Sequence, residues 1–332
     1  MKRIFSAFFA LTIIASLLCR NVAPTKAEAA KQLSIVTTIF PEYDWVRQIL
    51  GDKFSDSDVT MLLDNGVDLH SYQPTVDDIV KIATCDLFIY VGGESDSWVE
   101  DALKHSVNKD MKVINLLEVL GDSVKAEETV EGMQETAHDH DEDDEDDDHE
   151  EHEEEKDEHV WLSLKNAKVL CNAISKALQE LDPDSKDIYA ANAEAYEKQL
   201  SALDEKYQEA VDNAAYKTLL FGDRFPFRYL TDDYGLRYYA AFSGCSAESE
   251  ASFDTIHFLA KKLDELELPC ILTIEGAKHR IAQTIVANTA KKNQTILSID
   301  SMQSTTSKDV AQGTTYLSVM EKNLDVLTDA LG

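Results

Sequence analysis

His70 and His159 are the side chains with the clearest chemical use in this sequence of 332 residues. His70 sits in a polar loop, Asp64-Asn65-Gly66-Val67-Asp68-Leu69-His70-Ser71-Tyr72-Gln73-Pro74, directly after an apolar run at 59–63. His159 closes an acidic run and is followed by the apolar Val160-Trp161-Leu162. Asp300 and Glu275 each follow a β-branched run further along. Two imidazoles from separate segments, with carboxylates, suit Zn²⁺ or Mn²⁺; Ca²⁺ prefers shells built only of oxygen. His105 and His257 fall on helical stretches and read as structural. His279 lies between Lys278 and Arg280, a poor place for a cation.

The acidic run spans residues 135–159 and holds 17 Asp and Glu, one Lys and five of the nine His. No core can form from it, so it reads as a solvated, disordered loop. His-rich tracts also bind metal weakly, which makes His138, His140, His149 and His152 candidates for exchangeable cation capture. The net charge of −32 repels nucleic acid and anionic membrane surfaces and suits cations.

The elements that must position these residues alternate. Runs at 33–39, 59–63, 87–91 and 112–115 read as strands of a parallel sheet, with helical patterns at 43–50, 76–83 and 98–106 between them. After the acidic run come a helix over 162–181, a break at Pro183, and a helical pattern from Ser185 to about Ala214. In that last pattern Tyr189, Tyr196, Leu200, Leu203, Tyr207 and Val211 recur at helical spacing. About 30 residues of helix span ~45 Å, enough to connect two lobes. Strands at 218–221, 237–241, 270–273 and 295–299, with helices at 227–234, 253–263, 282–289 and 316–331, repeat the alternation. The fold class is therefore α/β: two similar lobes, each a parallel sheet flanked by helices, joined by one long helix. The expected limits are 1–30 for a signal peptide, 31–182 for the first lobe with a loop at about 126–158, 183–214 for the connector and 215–332 for the second lobe. Neither sheet carries a glycine-rich nucleotide fingerprint.

Lys2 and Arg3 followed by an apolar run at 4–18 read as an export signal. Two processing readings stand side by side: cleavage at Ala27-Glu28-Ala29, or a lipid-bearing Cys19. Either puts the protein outside the cytoplasm, periplasmic or lipid-anchored at the outer face of the membrane. No C-x-x-C pair occurs, which argues against a thiolate zinc site. Cys85 and Cys171 read as buried thiols, and a Cys245–Cys270 disulfide is compatible with export.

Four stretches resemble the zinc- and manganese-binding solute-binding proteins of bacterial metal-uptake ABC transporters. Residues 35–46 (IVTTIFPEYDWV) are similar to that family's first strand and helix. Residues 66–75 (GVDLHSYQPT) are similar to its first ligand loop, and residues 159–164 (HVWLSL) to its second. Tyr234-Gly235-Leu236 and residues 244–252 (GCSAESEAS) match second-lobe landmarks. An acidic, His-rich insert before the second ligand is typical of the zinc-type members.

The resemblance implies a metal held between the lobes by His70, His159 and Asp300. It also implies delivery to an ABC permease, a monomeric protein and no catalysis. The family's third ligand, a His or Glu ten residues before the Tyr of Tyr-Gly-Leu, falls here on Arg224, which stays protonated and cannot ligate. Asp223 is the neighbouring replacement; Glu248, Glu250, Glu275 or water are alternatives. A further alternative pairs Arg224 with Asp300. Metal affinity is expected to fall as pH drops through ~6.5, where imidazole protonates. A zinc-dependent hydrolase, or an extracellular metal buffer or adhesin, are the competing classes. No H-E-x-x-H supports the hydrolase.

Overall fold

The computed structural model describes residues 32–134, 155–246, 250–276 and 278–332. The expected leader, with Cys19, and the candidate residues His138, His140, His149, His152 and Glu248 lie outside the described residues.

In the first lobe the chain runs β1 (Ser34–Thr37), α1 (Phe40–Leu50), β2 (Asp58–Met61), α2 (Val76–Thr84), β3 (Leu87–Tyr90), α3 (Val99–Lys104), β4 (Lys112–Asn115), α4 (Leu116–Leu120) and α5 (Leu164–Leu181). Then comes α6 (Lys186–Asn213). The second lobe is β5 (Thr218–Phe225), α7 (Arg228–Tyr234), β6 (Arg237–Ser243), α8 (Phe253–Glu265), β7 (Cys270–Ile274), α9 (Arg280–Asn288), β8 (Thr295–Ile299), α10 (Ser307–Ala311) and α11 (Tyr316–Leu331). Among the described residues these strands form two four-stranded sheets, ordered β2-β1-β3-β4 and β6-β5-β7-β8. Every pairing within them is parallel.

Alternation along the strands sets the core. Leu219 and Phe221 of β5 face the large apolar cluster that continues through α5, α6 and α11 into the first lobe. Leu220 faces the other way, into a smaller cluster with Leu259 of α8 and Ile285 of α9. Successive strand side chains point to opposite faces, so one residue type can serve two helical layers. The start of α2 follows local chemistry: Thr75 and Asp78 form a reciprocal capping box.

The long helix forms as its apolar spacing predicts. Tyr189, Ala193, Tyr196, Leu200, Leu203, Tyr207 and Val211 are buried along one stripe. Its 28 residues span about 42 Å at 1.5 Å per residue. Asn192 donates to Ile49 O of the first lobe at 2.9 Å, and Tyr207 OH donates to Met320 O of the second at 2.7 Å.

Two details differ from the sequence reading. β5 does not end at Phe221: it continues to Phe225, with a register irregularity against β6 between Phe221 and Arg224. Asp223 and Arg224 are thus strand residues, and the irregularity re-aims them. The loop drawn at about 126–158 has an ordered base, where Ala126 bridges antiparallel to Lys156. None of the described helices is long and apolar enough to cross a membrane.

Candidate metal centre

His70 is placed by its own short turn. Leu69–Ser71 form one 3-10 turn, and Asp68 caps it by accepting from His70 N at 3.0 Å. Leu69 is buried beneath, which pins the turn. The His70 ring presents Nδ1 to Ser95 Oγ at 2.7 Å, with Glu158 Oε2 behind it at 3.5 Å. That Glu158 oxygen is buried and has no hydrogen-bond partner, while Glu158 Oε1 accepts from Ser95 N at 2.9 Å. Gly93, at φ +83, leaves the space the Glu158 carboxylate fills; a Cβ there would overlap it.

His159 is held more tightly still. Val160, Trp161 and Leu162 follow it into the core, all fully buried. Trp161 Nε1 donates to Ser301 O at 2.9 Å, and Tyr316 OH donates to Trp161 O at 2.7 Å. Asp157 Oδ1 accepts from His159 N at 2.9 Å and stands 3.1 Å from His159 Nδ1. A carboxylate only accepts, so His159 Nδ1 carries the proton of this contact, and in a neutral ring the lone pair is on Nε2.

The two Nε2 atoms face one another at 3.2 Å. A tetrahedral ion with Zn–N bonds of 2.0–2.1 Å holds two nitrogens about 3.3 Å apart. The pair is therefore spaced as zinc would space it. Burial first, and the neighbouring His159 second, push His70 down to about 3, with Arg224 adding to the shift and Asp68 opposing it. His70 is neutral, the metal-binding form, well below the ~6.5 at which imidazole ordinarily protonates.

The second lobe brings Cys245. Ligand atoms of His70, His159 and Cys245 all lie within 4.8 Å of one another. Gly244 makes this approach feasible, since a Cβ at that position would stand 2.9 Å from His159 Cε1 and 3.0 Å from Phe225 O. Cys245 N donates to Glu127 Oε1 at 3.0 Å, which ties the loop to the first lobe. Burial, with Glu127, Glu158 and Asp157 nearby, pushes the Cys245 thiol up. The same three carboxylates favour a cation at this place. Cys245 and Cys270 are both free, and Cys270 is buried on β7 with its thiol toward Ala330 O.

Among the described residues Asp300 and Asp223 are not members of this close group. Asp300 Oδ1 accepts from Met302 N at 2.8 Å, and burial with nearby Glu275 pushes it up to about 6. Glu275 is engaged by Ser301 N and Oγ, each at 2.7 Å. Asp223 Oδ1 accepts from Arg224 N at 2.9 Å, and burial pushes it up. Arg224 does not pair with Asp300. Its Nη2 meets Asp68 Oδ2 at 2.6 Å, and its Nη1 reaches Ser246 O at 3.4 Å. Burial works to raise Asp68, but Arg224 and His70 together outweigh it and hold that carboxyl below its ordinary value.

Residues 35–330 match the family model described as ZnuA, zinc-uptake complex component A, periplasmic. The chain belongs to the ZnuA family. It is 31% identical over 327 residues to the zinc-binding lipoprotein AdcA of Streptococcus pneumoniae serotype 4, a match covering 98% of this chain and 60% of AdcA. The chain thus spans about three-fifths of the length of that relative. It is 30% identical over 316 residues to the high-affinity zinc uptake system protein ZnuA of Bacillus subtilis, covering 94% of this chain and 92% of that one. Among solved structures, the Zn(II)-bound ZnuA-like domain of S. pneumoniae AdcA superposes with a TM-score of 0.68 at 29% identity, covering 91% of this chain and 99% of that domain.

Cys245 is the member of the close group that the sequence reading did not single out as a ligand. C-x-x-C spacing, the ordinary mark of a thiolate site, is not needed where a site is drawn from distant segments. The available signal was a cysteine directly after a glycine within a second-lobe landmark. Beside the site lies a cavity of about 230 Å³, lined by His70, Cys245, Glu94, Glu127, Glu155 and Glu158, with Lys156. Glu155, Lys156 and Glu158 of this lining belong to the acidic run. The arrangement is suited to coordinating a cation reached through an acidic vestibule.

Proposed function

We propose that this chain captures Zn²⁺ outside the cytoplasm and delivers it to an ABC permease, with His70 and His159 as the first two ligands. The observation that carries this reading is the meeting of the two Nε2 atoms at 3.2 Å, with Ser95 Oγ at Nδ1 of His70 and Asp157 Oδ1 at Nδ1 of His159. Zinc is favoured over manganese by imidazole donors and by the general affinity order. The zinc-binding and zinc-uptake names of the relatives point the same way. The chemistry is coordination, not catalysis, and the protein works as a monomer, periplasmic or lipid-anchored.

Asp300 and Asp223 are second-lobe carboxylates outside the close group, and this reading gives them no bond to the ion. The acidic run, with His138, His140, His149 and His152, is proposed as a weak capture segment that passes ions into the adjoining cavity. Titration with zinc against a competing chelator tests this. One tight site is expected in the parent and in a variant lacking residues 135–154. Tight binding that survives both His70→Ala and His159→Ala would overturn the assignment. Loss of nearly all binding on removing the run would favour a buffer instead.

A further inference from the structure

We propose that Cys245 is the third zinc ligand of this centre, bound as a thiolate, in place of the family's second-lobe histidine or glutamate. The inference rests on the reading of His70 and His159 as zinc ligands and adds what the second lobe supplies.

Three independent features of the chain converge on it. The first is proximity, since the thiol and both imidazoles have ligand atoms within 4.8 Å. Zn–S and Zn–N bonds in a tetrahedron place sulfur about 3.6 Å from nitrogen. Rotation of one short side chain supplies the remaining movement of about 1 Å. The second feature is the approach itself. Gly244 brings the loop against the His159 ring where a Cβ would collide, and Glu127 of the first lobe fixes Cys245 N. The loop is therefore built to stand at the imidazoles. The third is Arg224. It occupies the family's ligand position, yet its guanidinium is turned to Asp68 and Ser246 O. That leaves the family's ligand position without a metal donor, and Cys245 is the second lobe's member of the close group.

The chemistry balances simply. Cys245 S–H loses its proton as the S–Zn bond forms, and one proton leaves to solvent past Glu127 and Glu158. Two neutral imidazoles and one thiolate leave a net charge of +1 on the bound ion. Three protein ligands leave one tetrahedral position open, which suits an ion that must be handed on. A thiolate also makes the site softer, so it selects zinc against manganese more sharply than nitrogen and oxygen donors do.

The test loads the purified chain with Co²⁺ in place of zinc and records its absorption. A near-ultraviolet thiolate-to-cobalt charge-transfer band is expected in the parent and in Cys270→Ser, and absent in Cys245→Ser. Zinc affinity of Cys245→Ser should fall on the order of 100-fold or more, beyond the range for losing a group behind a ligand. Its preference for zinc over manganese should narrow as well. Tight zinc binding in the parent without the cobalt band overturns the thiolate, whatever the variant does, and leaves the two-histidine reading standing. A parent that binds neither ion tightly overturns both.

Discussion

The two lobes share one topology and use it differently. In each, the second strand lies outside the first, β2 beside β1 and β6 beside β5. The loop after that second strand carries a donor in both: His70 after β2 and Cys245 after β6. The first-lobe loop is over-determined. A capped turn, a buried Leu69, a hydroxyl from Ser95 and a carboxylate from Glu158 all fix the His70 ring. The second-lobe loop is held by one backbone hydrogen bond to Glu127 and by the close fit of Gly244. Carboxyl ends of parallel strands choose where a ligand sits. The side chains packed behind each loop choose how rigidly the donor is presented.

The largest break in that comparison is expected from the first lobe. His70→Ala should lower zinc affinity more than about 100-fold, beyond the range for losing an outer partner, whereas Arg224→Ala should change it far less; calorimetric titration with a competitor reads both. Ser95→Ala removes the group behind His70 and should cost about 10–100-fold, seen as a weaker constant with unchanged stoichiometry. Gly244→Ala inserts a methyl 2.9 Å from His159 Cε1 and should destabilise the metal-free fold by about 1–3 kcal/mol, measured by urea unfolding.

A pH experiment compares buried groups of opposite sign. Glu42 is pushed up to about 8, by burial first and by Asp96 second, against hydrogen bonds from Thr38 and Ile39. Its folded value lies above its unfolded one, so its contribution is full below about 4.5 and is lost as pH rises through about 8. His70 acts in the other direction, between 6.5 and about 3, where the unfolded chain holds the extra proton. Unfolding the metal-free parent beside Glu42→Gln from about pH 6.5 to pH 8, above the His70 range, follows the glutamate. Stability should fall across that interval, and Glu42→Gln should flatten the slope. The smallest effect is expected from Asp223→Ala. Zinc affinity should stay within about twofold of the parent, the ordinary range for a change away from the site. A larger loss would return this carboxylate to the ligand set.

Much of this molecule was legible along the chain. The β-branched run at 33–39, the capping pair Thr75 and Asp78, and the stripe from Tyr189 to Val211 each state their element within a few residues, because strand and helix periods are local. His70 and His159 were legible too, by chemistry and by motif. The extension of β5 through Asp223 and Arg224 was not, since Gly222 and two charged residues look like a strand end.

By itself, then, the sequence determined the alternating elements, the two lobes, the connector and the two imidazoles. Each follows from patterns no longer than a helix or a motif. Only the tertiary structure decided that the imidazoles meet at 3.2 Å, that Arg224 turns to Asp68, and that Cys245 stands beside both rings. Those are encounters between segments far apart in sequence. Strand order, a register irregularity and one missing Cβ set them, and no local pattern along the chain encodes any of the three.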